Sequence, residues 1–107
     1  MDISVAVCGA GTMGSGIALV CARNGMDVKL FDISKEALEH AQNIIGKNLQ
    51  YLLTRKKITS KEETEILSRI QFIDDINECT AFVIIEAIAE KMEAKAALFQ
   101  KLAEINN

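Results

Sequence analysis

Ile3-Ser4-Val5-Ala6-Val7-Cys8-Gly9-Ala10-Gly11-Thr12-Met13-Gly14-Ser15-Gly16-Ile17-Ala18 is the stretch whose reading decides the fold. Ile3 to Cys8 is a short run rich in β-branched residues and closed by Gly9, which reads as a strand buried on both faces. Gly9 to Gly16 is a tight glycine turn, and Met13 to Asn24 then reads as a helix that is apolar nearly all round. Gly25 stops it in the C′ position, with Arg23 suited to the last turn. Asp27-Val28-Lys29-Leu30-Phe31-Asp32 is a second strand. Strand, glycine turn, helix, glycine and strand within about thirty residues make a βαβ unit, whose strands must run parallel.

Each part of the turn has a physical task. Gly9 permits the tight turn, Gly11 has no Cβ to keep a pyrophosphate off the backbone, and Gly14 lets helix and strand pack closely. The helix N-terminus then offers N–H groups and a positive dipole end to phosphates. Asp32 ends the second strand 21 positions after Gly11, where a dinucleotide fingerprint expects an acid ~20 residues on. A carboxylate there accepts both ribose hydroxyls of an adenosine and repels a 2′-phosphate, so NAD is expected over NADP. The alternative is a structural glycine turn with a solvated aspartate, and the four agreeing features of context outweigh it.

Further along, Ser34 is placed to N-cap a long helix running to about Thr54, with Leu38, Ala41, Ile45, Leu49 and Leu52 at helical spacing. Gly46 inside it costs ~1 kcal/mol against alanine, and close packing is one reason it could be there. Ser60-Lys61-Glu62-Glu63 matches a capping box and opens a shorter helix to about Arg69. Ile70-Gln71-Phe72 is a weak strand and Phe82-Val83-Ile84-Ile85 a strong one. Glu86 to Glu90 is its exit loop, and Lys91 to Ile105 a final helix. The expected fold class is α/β: a Rossmann-type parallel sheet in the order 3-2-1-4, helices on both faces, and a helical insertion after the second strand. Residues 1–107 form one dinucleotide-binding domain. The chain ends after a helix that should lead into another strand, so a truncated domain is expected.

The chain has 107 residues, half of them apolar and a quarter charged, which supports one packed domain. Net charge is −3, carried unevenly: residues 1–60 have seven basic and five acidic side chains, residues 61–107 five and ten. That balance argues against a nucleic acid or an anionic membrane as partner. No stretch reaches the ~18 apolar residues of a membrane span, and no basic region precedes the first strand as a signal peptide would require. Cys8, Cys21 and Cys79 have no CxxC spacing; they read as small buried hydrophobes in a reducing, cytoplasmic setting rather than as a disulfide frame or zinc site.

Three other features carry less. Glu86, Glu90 and Lys95 follow the fourth strand, on the same rim as the glycine turn, where Glu90 and Lys95 could reach ribose or phosphate oxygens; a solvated surface explains them as well. Arg55-Lys56-Lys57 is either a solvated loop or a holder of substrate phosphates. His40, the single histidine, sits in the middle of the long helix among polar residues and reads as exposed. No nucleophilic triad or metal-ligand cluster is apparent.

The segment Val5 to Ala18, Phe31-Asp32-Ile33-Ser34, and Val83-Ile84-Ile85-Glu86-Ala87-Ile88-Ala89-Glu90 followed by Lys95 and Leu98-Phe99 together resemble the 3-hydroxyacyl-CoA dehydrogenase family. Lys57-Ile58-Thr59 with Glu65 to Ile70 is most similar to its short-chain 3-hydroxybutyryl-CoA branch. The resemblance spans the whole chain and implies NAD contacts from Gly9, Ala10, Gly11, Thr12, Met13, Gly14, Asp32, Ala87, Glu90 and Lys95. It also implies a coenzyme A site near Asn48, Arg55 and Lys56, an acyl-CoA substrate, and a homo-oligomer. In the family the catalytic serine, the histidine–glutamate pair and an asparagine lie beyond the segment matched here, so no catalytic residue is expected in this chain, which alone should be inactive. A sugar-acid dehydrogenase of L-gulonate type and a non-catalytic nucleotide-binding module remain the alternatives.

Overall fold

The computed structural model describes residues 4–81, 83–86 and 103–106. A parallel strand flanked by helices has no solvent face, so its residues are apolar on both sides. β1 (Ser4–Cys8) meets that condition, with Val5 to Cys8 all buried. α1 (Thr12–Arg23) then returns antiparallel to it, and β2 (Asp27–Phe31) pairs beside β1 in parallel register, Val5 opposite Val28 and Cys8 opposite Phe31. α2 (Lys35–Thr54) and α3 (Ser60–Ser68) follow, then β3 (Ile70–Ile73), a 3₁₀ turn at Ile76–Glu78, and β4 (Val83–Glu86). The sheet is all parallel in the order β3-β2-β1-β4, as expected.

Strand alternation divides the core in two. Val5, Val7, Val28, Leu30 and Ile70 face α1, α2 and α3, where Ala18, Leu38, Ala41, Ile45 and Leu49 cover them. Ala6, Cys8, Phe31 and Ile73 face the other way, against Cys79, Ile76, Ala81 and Ile105. α2 contributes Leu38, Ala41, Ile45 and Leu49 at three- and four-residue spacing, the stripe expected for a helix with one buried face.

Helix boundaries follow from local chemistry. α1 ends in a Schellman arrangement: Gly25, at φ +85°, donates to Ala22 O at 3.2 Å, and Met26 donates to Cys21 O at 3.1 Å. α2 ends in the same way, but a lysine occupies the left-handed position. Lys56, at φ +57°, donates to Leu53 O, and Lys57 donates to Leu52 O at 2.8 Å.

Several expectations are corrected. The capping box of α3 is Thr59 with Glu62, not Ser60 with Glu63: Glu62 N–H donates to Thr59 Oγ1 at 3.1 Å, and Thr59 N–H donates to Glu62 Oε1 at 3.0 Å. Both frames fit the S/T-x-x-E spacing; burial of Ile58 makes Thr59 the extended residue before the helix. α1 begins and ends one residue earlier than read, β3 gains Ile73, and Glu86 closes β4 instead of opening its exit loop. Gly46 is not a close-packing glycine, since a Cβ there would meet nothing within 4 Å. Cys21 is half-buried rather than buried. Phe82 and residues 87–102 lie outside the described residues, so of the expected final helix only 103–106 is seen as helical. Among the described residues no helix is long and apolar enough to cross a membrane.

Candidate functional site

The carboxyl ends of β1, β2 and β4 form one rim of the sheet, with Cys8, Phe31 and Glu86 in register. The chain leaves β1 through Gly9, whose φ of +108° lies in the region that glycine alone adopts without strain. Gly9 N–H donates to Phe31 O at 2.8 Å, prolonging the β1–β2 ladder into the turn. Gly14 packs directly on this turn. A Cβ added to it would stand 1.7 Å from Gly9 O, so only hydrogen fits between helix and turn. Gly11 is the opposite case, because a Cβ there would meet nothing within 4 Å and would stand in open space.

Gly11 is also the N-cap of α1, and no side chain caps this helix. The first intrahelical bond runs from Ser15 N–H to Gly11 O at 2.9 Å, which leaves the amides of Thr12, Met13 and Gly14 with no carbonyl one turn back. The first turn holds no acidic residue, and Thr12 and Met13 are exposed. The positive end of the helix dipole and the amides of the exposed Thr12 and Met13 therefore lie beside the open space at Gly11, an arrangement that fits the pyrophosphate of a dinucleotide.

Asp32 lies one residue beyond β2 and ties this rim together. Its Oδ2 accepts from Ala10 N–H at 2.9 Å and its Oδ1 from Ser34 N–H at 2.9 Å, so one carboxylate spans the glycine turn and the entry to α2. Each oxygen retains a second lone pair for a hydroxyl donor. Ser34 in turn caps α2, its Oγ accepting from Ala37 N–H at 3.2 Å. Sequence reading placed Asp32 at the rim but missed its bond to Ala10, and it missed Ser15, which is wholly buried with its Oγ donating to Ala10 O at 3.4 Å. A polar residue on the inner side of a glycine turn was the one available signal.

The structure thus brings Gly9, Ala10, Gly11, Thr12, Met13, Gly14 and Asp32 together. Ala87, Glu90 and Lys95 lie outside the described residues. Asn48, Arg55 and Lys56 are exposed and stand apart from the turn. α2 begins beside Asp32 and carries Arg55 and Lys56 at its far end, about 30 Å along its axis. There the Arg55 guanidinium lies 4.8 Å from the Tyr51 ring centroid. His40 is exposed on α2, as read. Among the described residues no group of histidine, cysteine and carboxylate side chains could hold a metal ion.

Comparison with known proteins shows the family. The model of the 3-hydroxyacyl-CoA dehydrogenase NAD-binding domain matches residues 4–107. The chain is 45% identical over 103 residues to the 3-hydroxyadipyl-CoA dehydrogenase of Escherichia coli K12, covering 95% of this chain and 22% of that protein. It is 39% identical over 100 residues to a probable 3-hydroxybutyryl-CoA dehydrogenase of Deinococcus radiodurans, covering 92% of this chain and 36% of that one. The crystal structure of (S)-3-hydroxybutyryl-CoA dehydrogenase from Ralstonia eutropha superposes on all of this chain with a TM-score of 0.94 at 29% identity, over 38% of its own length. That of 3-hydroxybutyryl-CoA dehydrogenase from Escherichia coli K12 does so at 0.93 and 42% identity, over 23% of its length. The chain therefore spans well under half of each of these relatives. With the glycine turn, the uncapped helix and the acid after β2 all in place, this chain belongs to the 3-hydroxyacyl-CoA dehydrogenase family, as its NAD-binding domain.

Proposed function

We propose that this chain is the cofactor domain of an enzyme that interconverts a 3-hydroxyacyl-CoA and a 3-oxoacyl-CoA, with 3-hydroxybutyryl-CoA as substrate. The observation that carries the reading is the uncapped start of α1 facing the Asp32 carboxylate across the glycine turn. Gly9 to Gly14 hold the pyrophosphate through backbone amides. Asp32 accepts the adenosine ribose hydroxyls with its remaining lone pairs, and its charge disfavours a 2′-phosphate. Ala87, Glu90 and Lys95 complete the cofactor contacts. Bound NAD supplies the hydride acceptor or donor at its nicotinamide. The base that takes the hydroxyl proton comes from outside this chain, so residues 1–107 alone bind cofactor without turnover.

Asn48, Arg55 and Lys56 receive coenzyme A in this reading. Lys56 supports it: a lysine held at φ +57°, where glycine would sit without strain, is the kind of backbone outlier that function maintains. The relatives named for acyl-CoA substrates favour this over the sugar-acid dehydrogenase and the non-catalytic module. We place the protein in the cytoplasm, in fatty-acid and butyrate metabolism, as a homo-oligomer. Titration of the chain with NADH and NADPH tests the cofactor assignment. NADH should bind at least about tenfold more tightly, a difference of ~1.4 kcal/mol, and equal affinity or a preference for NADPH would overturn it.

A further inference from the structure

On the sheet face away from α1, two cysteines that are 71 positions apart in sequence meet. Cys8 ends β1 and Cys79 follows the 3₁₀ turn; their sulfurs are 3.5 Å apart, and both side chains are fully buried. The residues on either side of Cys79 are gripped by one cation: Lys29 Nζ donates to Glu78 O at 3.0 Å and to Thr80 Oγ1 at 3.1 Å. The hydrogen bond with Cys8 and the nearby Lys29 charge hold the Cys79 thiol below its ordinary pKa, against the opposing pull of burial. A disulfide needs the sulfurs at about 2.05 Å, a closure of about 1.5 Å from the distance seen. Cys79 caps the 3₁₀ turn (φ −83°, ψ +58°) and is held by no strand ladder. The pair is covered by Asn106, whose Nδ2 donates to Cys79 O at 3.2 Å and whose Oδ1 accepts from Ala81 N–H at 3.3 Å, and by Ile105.

We propose that Cys8 and Cys79 form a reversible disulfide, made by a hydroperoxide and undone by a dithiol. Peroxide reaches the pair by local opening of the contact with Asn106 and Ile105. The Cys79 sulfur attacks a peroxide oxygen; an S–O bond forms, the O–O bond breaks, and the sulfenic acid of Cys79 is left as water or an alcohol departs. The Cys8 sulfur then attacks the sulfenyl sulfur; the S–S bond forms, the S–O bond breaks, and the Cys8 proton leaves with the hydroxide as water. Two electrons pass from the thiol pair to the peroxide. A small dithiol restores both thiols by exchange and becomes the disulfide itself. The bond would staple the segment before β4 to the end of β1, one residue from Gly9. Cys21 takes no part, since it lies half-buried in the core cluster on the opposite face.

The test treats the folded chain with hydrogen peroxide, blocks remaining thiols, and maps the peptides without reduction. The expected product has lost two hydrogen masses, keeps one blocked thiol at Cys21, and links the Cys8 peptide to the Cys79 peptide; dithiothreitol reverses it. Closing so long a loop should raise Tm by about 5 °C or more. Three thiols surviving, oxygen added at Cys79 without a link, or a link through Cys21 would each overturn the proposal. In guanidinium chloride the Cys8–Cys79 selectivity should vanish, and its persistence there would show that the fold does not create the pair. Cys21→Ser should leave the link intact, and Cys79→Ser should abolish it; the wild-type peptide map stands whether or not the latter variant folds.

Discussion

Helices α1, α2 and α3 start in two ways. α2 and α3 are closed by side chains: Ser34 Oγ accepts from Ala37 N–H, and Thr59 with Glu62 satisfies two donors reciprocally. α1 starts at a glycine with nothing in place of the cap. A serine or aspartate at that position would add roughly a few tenths of a kcal/mol of stability, and its side-chain oxygen would occupy amides that a phosphate needs. α2 and α3 therefore satisfy their own starts, whereas α1 leaves amides for a ligand. The same contrast runs through the glycines, because Gly14 is required by a contact inside the protein and Gly11 by space outside it.

The largest effect expected from breaking this contrast is at Gly14. Its Cβ would stand 1.7 Å from Gly9 O and 2.9 Å from Gly9 C, both backbone atoms that cannot turn aside. Gly14→Ala should cost about 3 kcal/mol of stability in a denaturant titration and lose NADH binding with it. A wild-type transition midpoint would mean that the helix slides off the turn without cost. Next comes Asp32→Ala, which strips acceptors from Ala10 N–H and Ser34 N–H. It should cost about 2 kcal/mol and reduce the preference for NADH over NADPH at least about tenfold. Retention of that preference would show that Asp32 only braces the turn.

The smallest stability effects sharpen the comparison most. Thr59→Ala should cost about 1 kcal/mol and leave NADH affinity unchanged. Gly11→Ala should cost roughly 0.5–1 kcal/mol, the N-cap difference between glycine and alanine, with no added strain, since its φ is −74° and its Cβ meets nothing. Its NADH affinity should fall about tenfold or more. Measured together by thermal melts and fluorescence titration, the two variants separate a cap that serves the fold from one left open for a ligand. Equal affinity losses in both would remove the distinction.

Much of this was legible in the residues. The glycine spacing, the buried strand Val5–Cys8, the stop at Gly25 and the acid after β2 each act over a few neighbours, so their consequences can be read from local order. The parallel order β3-β2-β1-β4 is the one a doubly wound dinucleotide-binding fold has around its first strand, so it followed once the glycine turn and βαβ unit were recognised. The capping box of α3 was read one residue late because two overlapping frames satisfy the same spacing, and burial of Ile58 against the core chose between them.

The sequence by itself determined the βαβ unit, the glycine turn and the carboxylate that stands beside it, since each rests on conformational limits of single residues and on hydrophobic period. Tertiary structure alone decided what meets across the sheet. Ala10 N–H found Asp32 across 22 positions, and Cys8 found Cys79 across 71. Cysteines without CxxC spacing read as separate small hydrophobes; they became a pair because β1 lies beside β4 and the chain enters β4 over the face on which Cys8 points. No local pattern encodes that approach, because the path of an irregular segment is settled by the packing of the whole core.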